Sequence, residues 1–137
     1  MVKFIVPGKP ESKARARYSS RTGLFYTPNN TTRYERTVRD AYKLACGDLI
    51  FEDAVQVKVD VYYEIPKSKS KKMKSLMSEN KVLPTKKPDA DNIAKAILDG
   101  LNKVAWLDDK QVTRLEVIKQ YSSSNPYVVI SISEDRR

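Results

Sequence analysis

Four aspartates lie close together in a strongly basic chain. Asp89 and Asp91 are two positions apart, and Asp108 and Asp109 follow after about the length of one helix. The chain of 137 residues carries a formal net charge of +9, and carboxylates gathered on a surface that binds an anion repel that anion unless a cation lies between them. Carboxylate oxygens are the ligands that Mg²⁺ prefers in proteins. The pattern therefore predicts a divalent-cation site at these four aspartates.

The residues around the first aspartate pair indicate how the pair is placed. Pro88 disfavours helical backbone at Lys87, and residues two apart in an extended segment point to the same side. We therefore expect Asp89 and Asp91 to face one cation, with Asp91 as the N-cap of the helix that follows. Lys95 lies four residues beyond Asp91, on the same helix face. A capping acid with a solvent-facing neighbour is the alternative interpretation of the pair.

This set of side chains suits the hydrolysis of phosphodiesters. A bound Mg²⁺ neutralises charge that develops on phosphate and lowers the pKa of a water ligand. The Lys95 ammonium would stabilise the same transition state or position the attacking water. Histidine is absent from the chain, which excludes the catalysts that use histidine as base, nucleophile or metal ligand.

Positive charge is concentrated in two short segments. Residues 1–21 hold six basic side chains against Glu11 alone, and residues 66–88 hold eight lysines against Glu79 alone. Cations confined in this way are typical of a surface that binds a phosphate backbone. Solubilising loops are the alternative. The residues predicted to contact DNA are Lys13, Arg15, Arg17, Lys69, Lys71, Lys72, Lys86 and Lys87.

Hydrophobic periodicity predicts an α+β fold: a compact single domain over residues 1–137, with a mixed β-sheet and helices packed on one side. The expected strands are 1–7, 55–65, 112–121 and 127–133, with a small hairpin near 21–23, and the expected helices are 31–46, 67–80 and 91–103. In the first helix Tyr34, Val38, Ala41 or Tyr42, and Ala45 are expected to face inward. Trp106 is expected to be buried and to fix the Asp108–Asp109 turn.

Further features of the sequence indicate the cellular location of the protein. There is no apolar run long enough to cross a membrane, and the apolar stretch at the start is too brief for a signal peptide. The single cysteine, Cys46, excludes an internal disulfide framework. We therefore expect a cytoplasmic protein with no membrane partner.

One long stretch resembles a known family. Residues 87–102 and 106–112 contain the pattern D-x-D-N-x-x-K, then W-x-D-D-x-Q-V, which is similar to that of the RusA family of Holliday-junction resolvases. The similarity is close over residues 87–112 and looser in the first strand and the closing strand pair. Many members of this family are carried by phages and prophages, and the resemblance implies that type here.

The resemblance implies a homodimeric endodeoxyribonuclease that nicks four-way DNA junctions symmetrically during recombination and repair. Its cofactor would be Mg²⁺, with Mn²⁺ as a substitute. Asp89 and Asp91 match the first two catalytic aspartates of the family, Asp109 matches the third and Lys95 matches the essential lysine. Asp108 lies where the family also has an acid. Symmetric nicks require two active sites related by a dyad, which a C2 dimer provides.

Two other interpretations stay open. Pro88-Asp89 followed by Asp108-Asp109-Lys110 also satisfies the loose PD-(D/E)xK pattern of restriction-like nucleases. That pattern would make Lys110 catalytic and leave Lys95 without a role. The second alternative is a non-catalytic accessory protein of recombination that binds DNA junctions and uses its acids as structural caps.

Overall fold

The computed structural model of the chain describes residues 1–11, 17–26 and 29–137. Its α-helices and β-strands follow in the order β1 Val2–Pro7, β2 Arg17–Ser19, β3 Leu24–Tyr26, α1 Asn29–Cys46, β4 Val55–Glu64, α2 Lys71–Ser78, α3 Ala90–Leu101, β5 Val112–Ser122 and β6 Tyr127–Glu134. A single 3₁₀ turn, Asp109–Gln111, precedes β5. The predicted small hairpin is β2–β3, and the predicted order of longer elements is confirmed.

The main sheet is mixed and has the strand order β1-β6-β4-β5. β4 and β5 are parallel, whereas β6 runs antiparallel to both β1 and β4. Buried and more exposed side chains alternate along β4. The buried ones are Val55, Val57, Val59, Val61 and Tyr63. Tyr62 lies on the opposite face and stacks on Tyr127 with ring centroids 4.5 Å apart. The predicted α+β class with a mixed sheet is therefore confirmed.

The core lies between one face of the sheet and helices α1 and α3. The helical side chains that enter it are Tyr34, Val38, Tyr42, Ile93, Ala96, Ile97 and Leu101. The prediction that Ala45 faces inward was wrong, since this residue is exposed. The buried stripe of α1 steps by four residues through 34, 38 and 42, so its next member is the half-buried Cys46 and not Ala45.

The bounds of the helices follow local capping chemistry. Helix α1 begins at Asn29, before its predicted start at residue 31. It ends where Gly47, at φ +62°, donates its backbone N–H to the carbonyl of Lys43. In α2 the Ser70 side chain accepts a hydrogen bond from the N–H of Met73. The N-cap of α3 is Asp89 and not Asp91 as predicted. None of the described helices is long and apolar enough to span a membrane.

Helices α1 and α3 approach most closely at Gly100. A Cβ atom at this position would lie 2.9 Å from the backbone oxygen of Glu35 and 3.3 Å from the Cβ of Val38. We therefore expect Gly100→Ala to destabilise the fold by about 1–2 kcal/mol in spite of the better helix propensity of alanine. Thermal unfolding should show a midpoint lower by roughly 3–8 °C. A variant as stable as the original chain would contradict the close approach.

Candidate active site

Asp89 and Asp91 lie at the start of α3. Asp89 is the N-cap residue with extended backbone, φ −73° and ψ 151°, but its carboxylate makes no capping hydrogen bond. The helix begins at Ala90, so Asp91 lies in its first turn, and the expected extended geometry through Asp91 was wrong. Both side chains are exposed. The pair therefore offers carboxylate oxygens to a cation from solvent.

The outer face of α3 continues from Asp91 through Lys95 to Asp99. Lys95 is exposed, and Asp99 is half-buried. Residues spaced by four lie on one face of a helix, and eight residues span about 12 Å along its axis. The opposite face of α3 is buried in the core, so the helix turns its charged side chains to solvent and Lys95 stands between two acids.

The second aspartate pair lies on a rigid turn beside Trp106. This tryptophan is fully buried, and its Nε1–H donates a hydrogen bond of 2.8 Å to Oδ1 of Asp109. Asp108 Oδ1 accepts a 3.0 Å hydrogen bond from the N–H of Lys110. The expectation that Trp106 is buried and fixes this turn is confirmed. One oxygen of each aspartate is therefore used by the turn itself.

Gln111 clamps the same turn, a role that sequence reasoning missed. Its Oε1 accepts hydrogen bonds from the N–H groups of Leu107 and Asp108 at 2.9 and 3.1 Å. Its Nε2 donates to the carbonyls of Phe51 and Asp53 at 2.9 and 3.0 Å. The spacing Asp108-x-x-Gln111 is a capping-box signature that could have indicated part of this role. Nothing in the sequence near Gln111 indicates its contact with residues 51–53.

Asp109 lies in an electrostatically unfavourable environment. Partial burial raises the pKa of its carboxyl. The neighbouring Asp99 and Asp108 carboxylates raise this pKa further, whereas the hydrogen bond from Trp106 lowers it. A carboxylate held near other acids is stabilised in its charged form by a nearby cation. The electrostatics of this turn thus favour a cation beside Asp109.

The predicted four-acid set is divided in the structure. Among the residues that the structure describes, no group of three or more acidic or cysteine side chains is placed to hold one metal ion. Asp109 is instead influenced by Asp99 and Asp108, while Asp89 and Asp91 lie together at the start of α3. Mg²⁺ commonly binds one or two carboxylates and completes its shell with water and substrate phosphate. The Asp89–Asp91 pair supplies two carboxylates and therefore fits that mode of binding.

A cleft of about 550 Å³ lies next to the loop that carries Asp89. Its lining includes Tyr63 and four lysines, which are Lys9, Lys67, Lys86 and Lys87. We call this the basic cleft. Two of these lysines, Lys86 and Lys87, were among the predicted DNA contacts. Lys9 and Lys67 belong to the two basic segments that were predicted to bind DNA, and the fold brings these segments together at the cleft.

The other predicted DNA contacts lie outside the cleft. Arg17 is exposed on β2, and Lys69 is exposed before α2. Lys71 and Lys72 occupy the first turn of α2, which contains no acidic residue. Cations at the N-terminus of a helix are unfavourable for the helix itself, so helix stability does not account for this placement. Lys13 and Arg15 lie outside the described residues.

A cluster of tyrosines and lysines holds the loop before Asp89. Tyr63 Oη donates a 2.7 Å hydrogen bond to the carbonyl of Pro88, and Lys119 Nζ donates one of 2.8 Å to the carbonyl of Lys86. Lys119 Nζ lies 5.2 Å from the centroid of the Tyr63 ring, and Lys86 Nζ lies 5.8 Å from it. Burial raises the pKa of Tyr63 to about 12, with added effects of Asp89 and Tyr121. The Tyr63 hydroxyl therefore remains a proton donor at neutral pH.

Comparison with known proteins gives two findings. The family model described as Endodeoxyribonuclease RusA matches residues 7–133. The chain is also 35% identical over 137 residues to a Bacillus subtilis (strain 168) protein described as Uncharacterized protein YqaN, with 97% of this chain and 96% of that protein covered. The family match extends well beyond residues 87–112, from the last residue of β1 through most of β6, so the predicted family resemblance is confirmed.

The hydrogen bonds of Gln111 predict its contribution to stability. Gln111→Ala removes four hydrogen bonds and leaves two backbone carbonyls and two N–H groups without this partner. We expect a loss of about 2–4 kcal/mol in the free energy of unfolding, measured by denaturant titration. Gln56→Ala is a matched control because Gln56 Nε2 makes one hydrogen bond, to Ser133 Oγ, and should cost about 1 kcal/mol. Equal losses in the two variants would contradict the clamp.

Proposed function

The chain belongs to the RusA family of endodeoxyribonucleases, and we propose that it is a Mg²⁺-dependent enzyme that resolves four-way DNA junctions by paired nicks in recombination and repair. The observation that carries this proposal is the adjacency of the Asp89 loop and the basic cleft. Lys86 and Lys87 line the cleft, and Asp89 lies two residues after Lys87. A phosphate bound by the lysines therefore lies beside carboxylates that hold a cation.

Asp89 and Asp91 are the proposed metal ligands. Asp109 and Asp108 of the second acid turn are proposed as further ligands, although the described residues do not group them with that pair around one ion. Each acid of that turn uses one oxygen for the turn, which leaves its other oxygen for a cation. When bound, the metal supplies Lewis-acid stabilisation of the phosphate and an activated water. Mn²⁺ substitutes for Mg²⁺ because it accepts the same oxygen ligands.

Lys95 is the proposed catalytic ammonium. Its side chain is exposed on the face of α3 that also carries Asp91, so it can reach a phosphate without breaking a buried interaction. A fixed positive charge close to the scissile group stabilises the transition state more than the ground state when negative charge builds up there. The loop acids and Lys95 thus act on the same phosphate from one helix.

The basic cleft and the lysines of α2 are the proposed contacts with the junction arms. Lysine ammonium groups contact phosphate oxygens without reading base sequence. The lysines at the start of α2 oppose the dipole of their own helix, and phosphate would relieve that repulsion. Arg17, together with Lys13 and Arg15 of the same basic segment, is the third proposed contact.

Symmetric nicks require a homodimer with two active sites related by a dyad. Support for the location of its interface comes from the face of the sheet that turns away from the core. This face carries Ile5, which is 59% exposed, and its charged side chains are balanced in number. The cations are Lys3, Lys58 and Arg114, and the acids are Asp60, Glu64 and Glu116. Two protomers of charge +9 can meet there without the net repulsion that other surfaces would impose.

Cleavage of a synthetic mobile four-way junction tests the activity. With Mg²⁺ or Mn²⁺ the intact protein should give nicks at symmetric positions in opposite strands. Asp91→Asn should lower the rate by roughly 100-fold or more, since it removes a charged metal ligand, while binding of the junction persists. Junction binding by the intact protein without cutting in either metal would instead favour the accessory-protein alternative.

The same assay separates the two nuclease interpretations. Lys95→Met should abolish cutting in a RusA-like site, whereas Lys110→Met should leave cutting within a few fold of the original rate. The reverse result would favour the PD-(D/E)xK interpretation. The Lys110 side chain is exposed, so neither substitution disturbs the core.

Salt dependence of junction binding tests the basic cleft. Each lysine that contacts a phosphate contributes about one to the slope of log affinity against log salt. Lys67→Gln combined with Lys87→Gln should therefore lower that slope by about two and weaken binding roughly tenfold or more at 0.1 M salt. Lys43→Gln on α1, also exposed, should leave the slope unchanged. An unaltered slope in the double variant would refute the cleft as a DNA contact.

A further inference from the structure

The Asp89 loop is attached to the sheet by side chains that come from two neighbouring strands. Tyr63 on β4 binds the Pro88 carbonyl, and Lys119 on β5 binds the Lys86 carbonyl. Tyr63 is 4% exposed, and its register partner on β5 is Tyr121. The bond from Tyr63 therefore comes from the interior of the fold, whereas the bond from Lys119 is exposed.

The bond to Pro88 acts directly on the first metal-ligand candidate. The carbonyl of Pro88 and the amide nitrogen of Asp89 belong to one planar peptide group. A hydrogen bond that fixes the carbonyl oxygen at 2.7 Å from Tyr63 Oη thus fixes the plane from which the Asp89 side chain departs. The Asp89 carboxylate makes no capping bond, so its position depends on its backbone. The Asp89 carbonyl accepts from the N–H of Ile93, and the carbonyl before it accepts from Tyr63.

Lys119 supports both the loop and the tyrosine. Its ammonium donates to Lys86 and lies 5.2 Å from the centre of the Tyr63 ring, within the range of a cation–π contact. Lys86 Nζ lies over the same ring and 5.9 Å from the centre of the Tyr121 ring. Two ammonium groups therefore contact the Tyr63 ring, and together with the two hydrogen bonds these contacts restrain the backbone before Asp89.

We infer that Tyr63 and Lys119 are positioning residues that set the metal affinity of the Asp89–Asp91 pair through the backbone of the loop. The inference rests on the proposed function, because it takes these aspartates as the metal ligands. Groups that orient a metal ligand typically contribute 10- to 100-fold to metal affinity. The effect differs from a contribution to overall stability, since it acts on one loop and should appear in the dependence on metal concentration.

Calorimetric titration of the DNA-free protein with Mn²⁺ tests this inference. Tyr63→Phe removes the hydroxyl alone and should raise the dissociation constant for Mn²⁺ roughly tenfold. The Mn²⁺ concentration that gives half-maximal junction cleavage should rise by a similar factor, while the rate at saturating Mn²⁺ stays within a few fold. Lys119→Met should shift both quantities in the same direction, and it serves as a second probe if the tyrosine variant does not fold.

Tyr42→Phe is the matched control. Tyr42 Oη also donates to a backbone carbonyl, that of Leu49, at 2.5 Å, and Tyr42 is buried in the core. The control should lose a comparable amount of stability and keep the Mn²⁺ affinity of the original chain. An unchanged Mn²⁺ affinity in Tyr63→Phe and Lys119→Met, or an equal shift in Tyr42→Phe, would overturn the inference.

The Asp91→Asn variant separates this inference from the proposed function. If the intact protein binds Mn²⁺ and Asp91→Asn does not, the metal site stands whatever the tyrosine variant shows. If the intact protein binds no Mn²⁺, the metal site and the positioning role are both overturned.

Discussion

The burial of one complete face of α3 constrains the rest of the site. The apolar side of this helix packs on the sheet and on α1, and at Gly100 the two helices approach so closely that a methyl group would meet backbone. A helix held in this way cannot rotate about its axis without exposing its apolar side chains or creating a clash. Asp91 and Lys95 are therefore directed away from the core by packing, and their orientation needs no bonds of their own.

The loop before Asp89 and the Asp108–Asp109 turn are each held by hydrogen bonds from an uncharged side chain to backbone. Gln111 clamps the Asp108–Asp109 turn to residues 51–53, and Tyr63 holds the carbonyl before Asp89. A lysine or arginine paired directly with an aspartate would have fixed the segment equally well, but it would have lowered the attraction of the carboxylate for a metal ion. The hydrogen bonds that reach the carboxylates themselves come from the uncharged Trp106 side chain and the backbone N–H of Lys110. The carboxylate charge therefore stays available while its position remains defined.

Features with a strong local period could be predicted from the sequence. Strand β4 alternates over its whole length, and α3 repeats its apolar residues at helical spacing, so both were predicted close to their observed bounds. The predictions that failed concern single turns: the N-cap of α3 at Asp91 and the inward position of Ala45. Each depends on a shift of one or two residues, which periodicity does not resolve.

The site was predictable only where its residues lie near one another in the chain. Asp89, Asp91, Asp109 and Lys95 form a motif, but Tyr63 is 25 residues from Pro88 and Gln111 is 60 residues from Phe51. Contacts over such distances are created by the parallel pairing of β4 with β5 and by the closure of the domain. Lys9 and Lys67 enter the basic cleft for the same reason, because the fold and not the local sequence brings the two basic segments together.

The order of charges along residues 86–91 connects binding with chemistry. Two lysines that line the cleft are followed within five residues by two carboxylates, so a phosphate attracted by the lysines comes close to groups that would repel it. That repulsion is removed when a divalent cation lies between carboxylate and phosphate, because the cation attracts both. In the proposed function this arrangement would make DNA binding and metal binding mutually favourable, since each ligand would supply charge that the other site requires. Coupling of this kind needs a loop whose backbone does not yield when either ligand binds, and the hydrogen bonds from Tyr63 and Lys119 give the loop that rigidity.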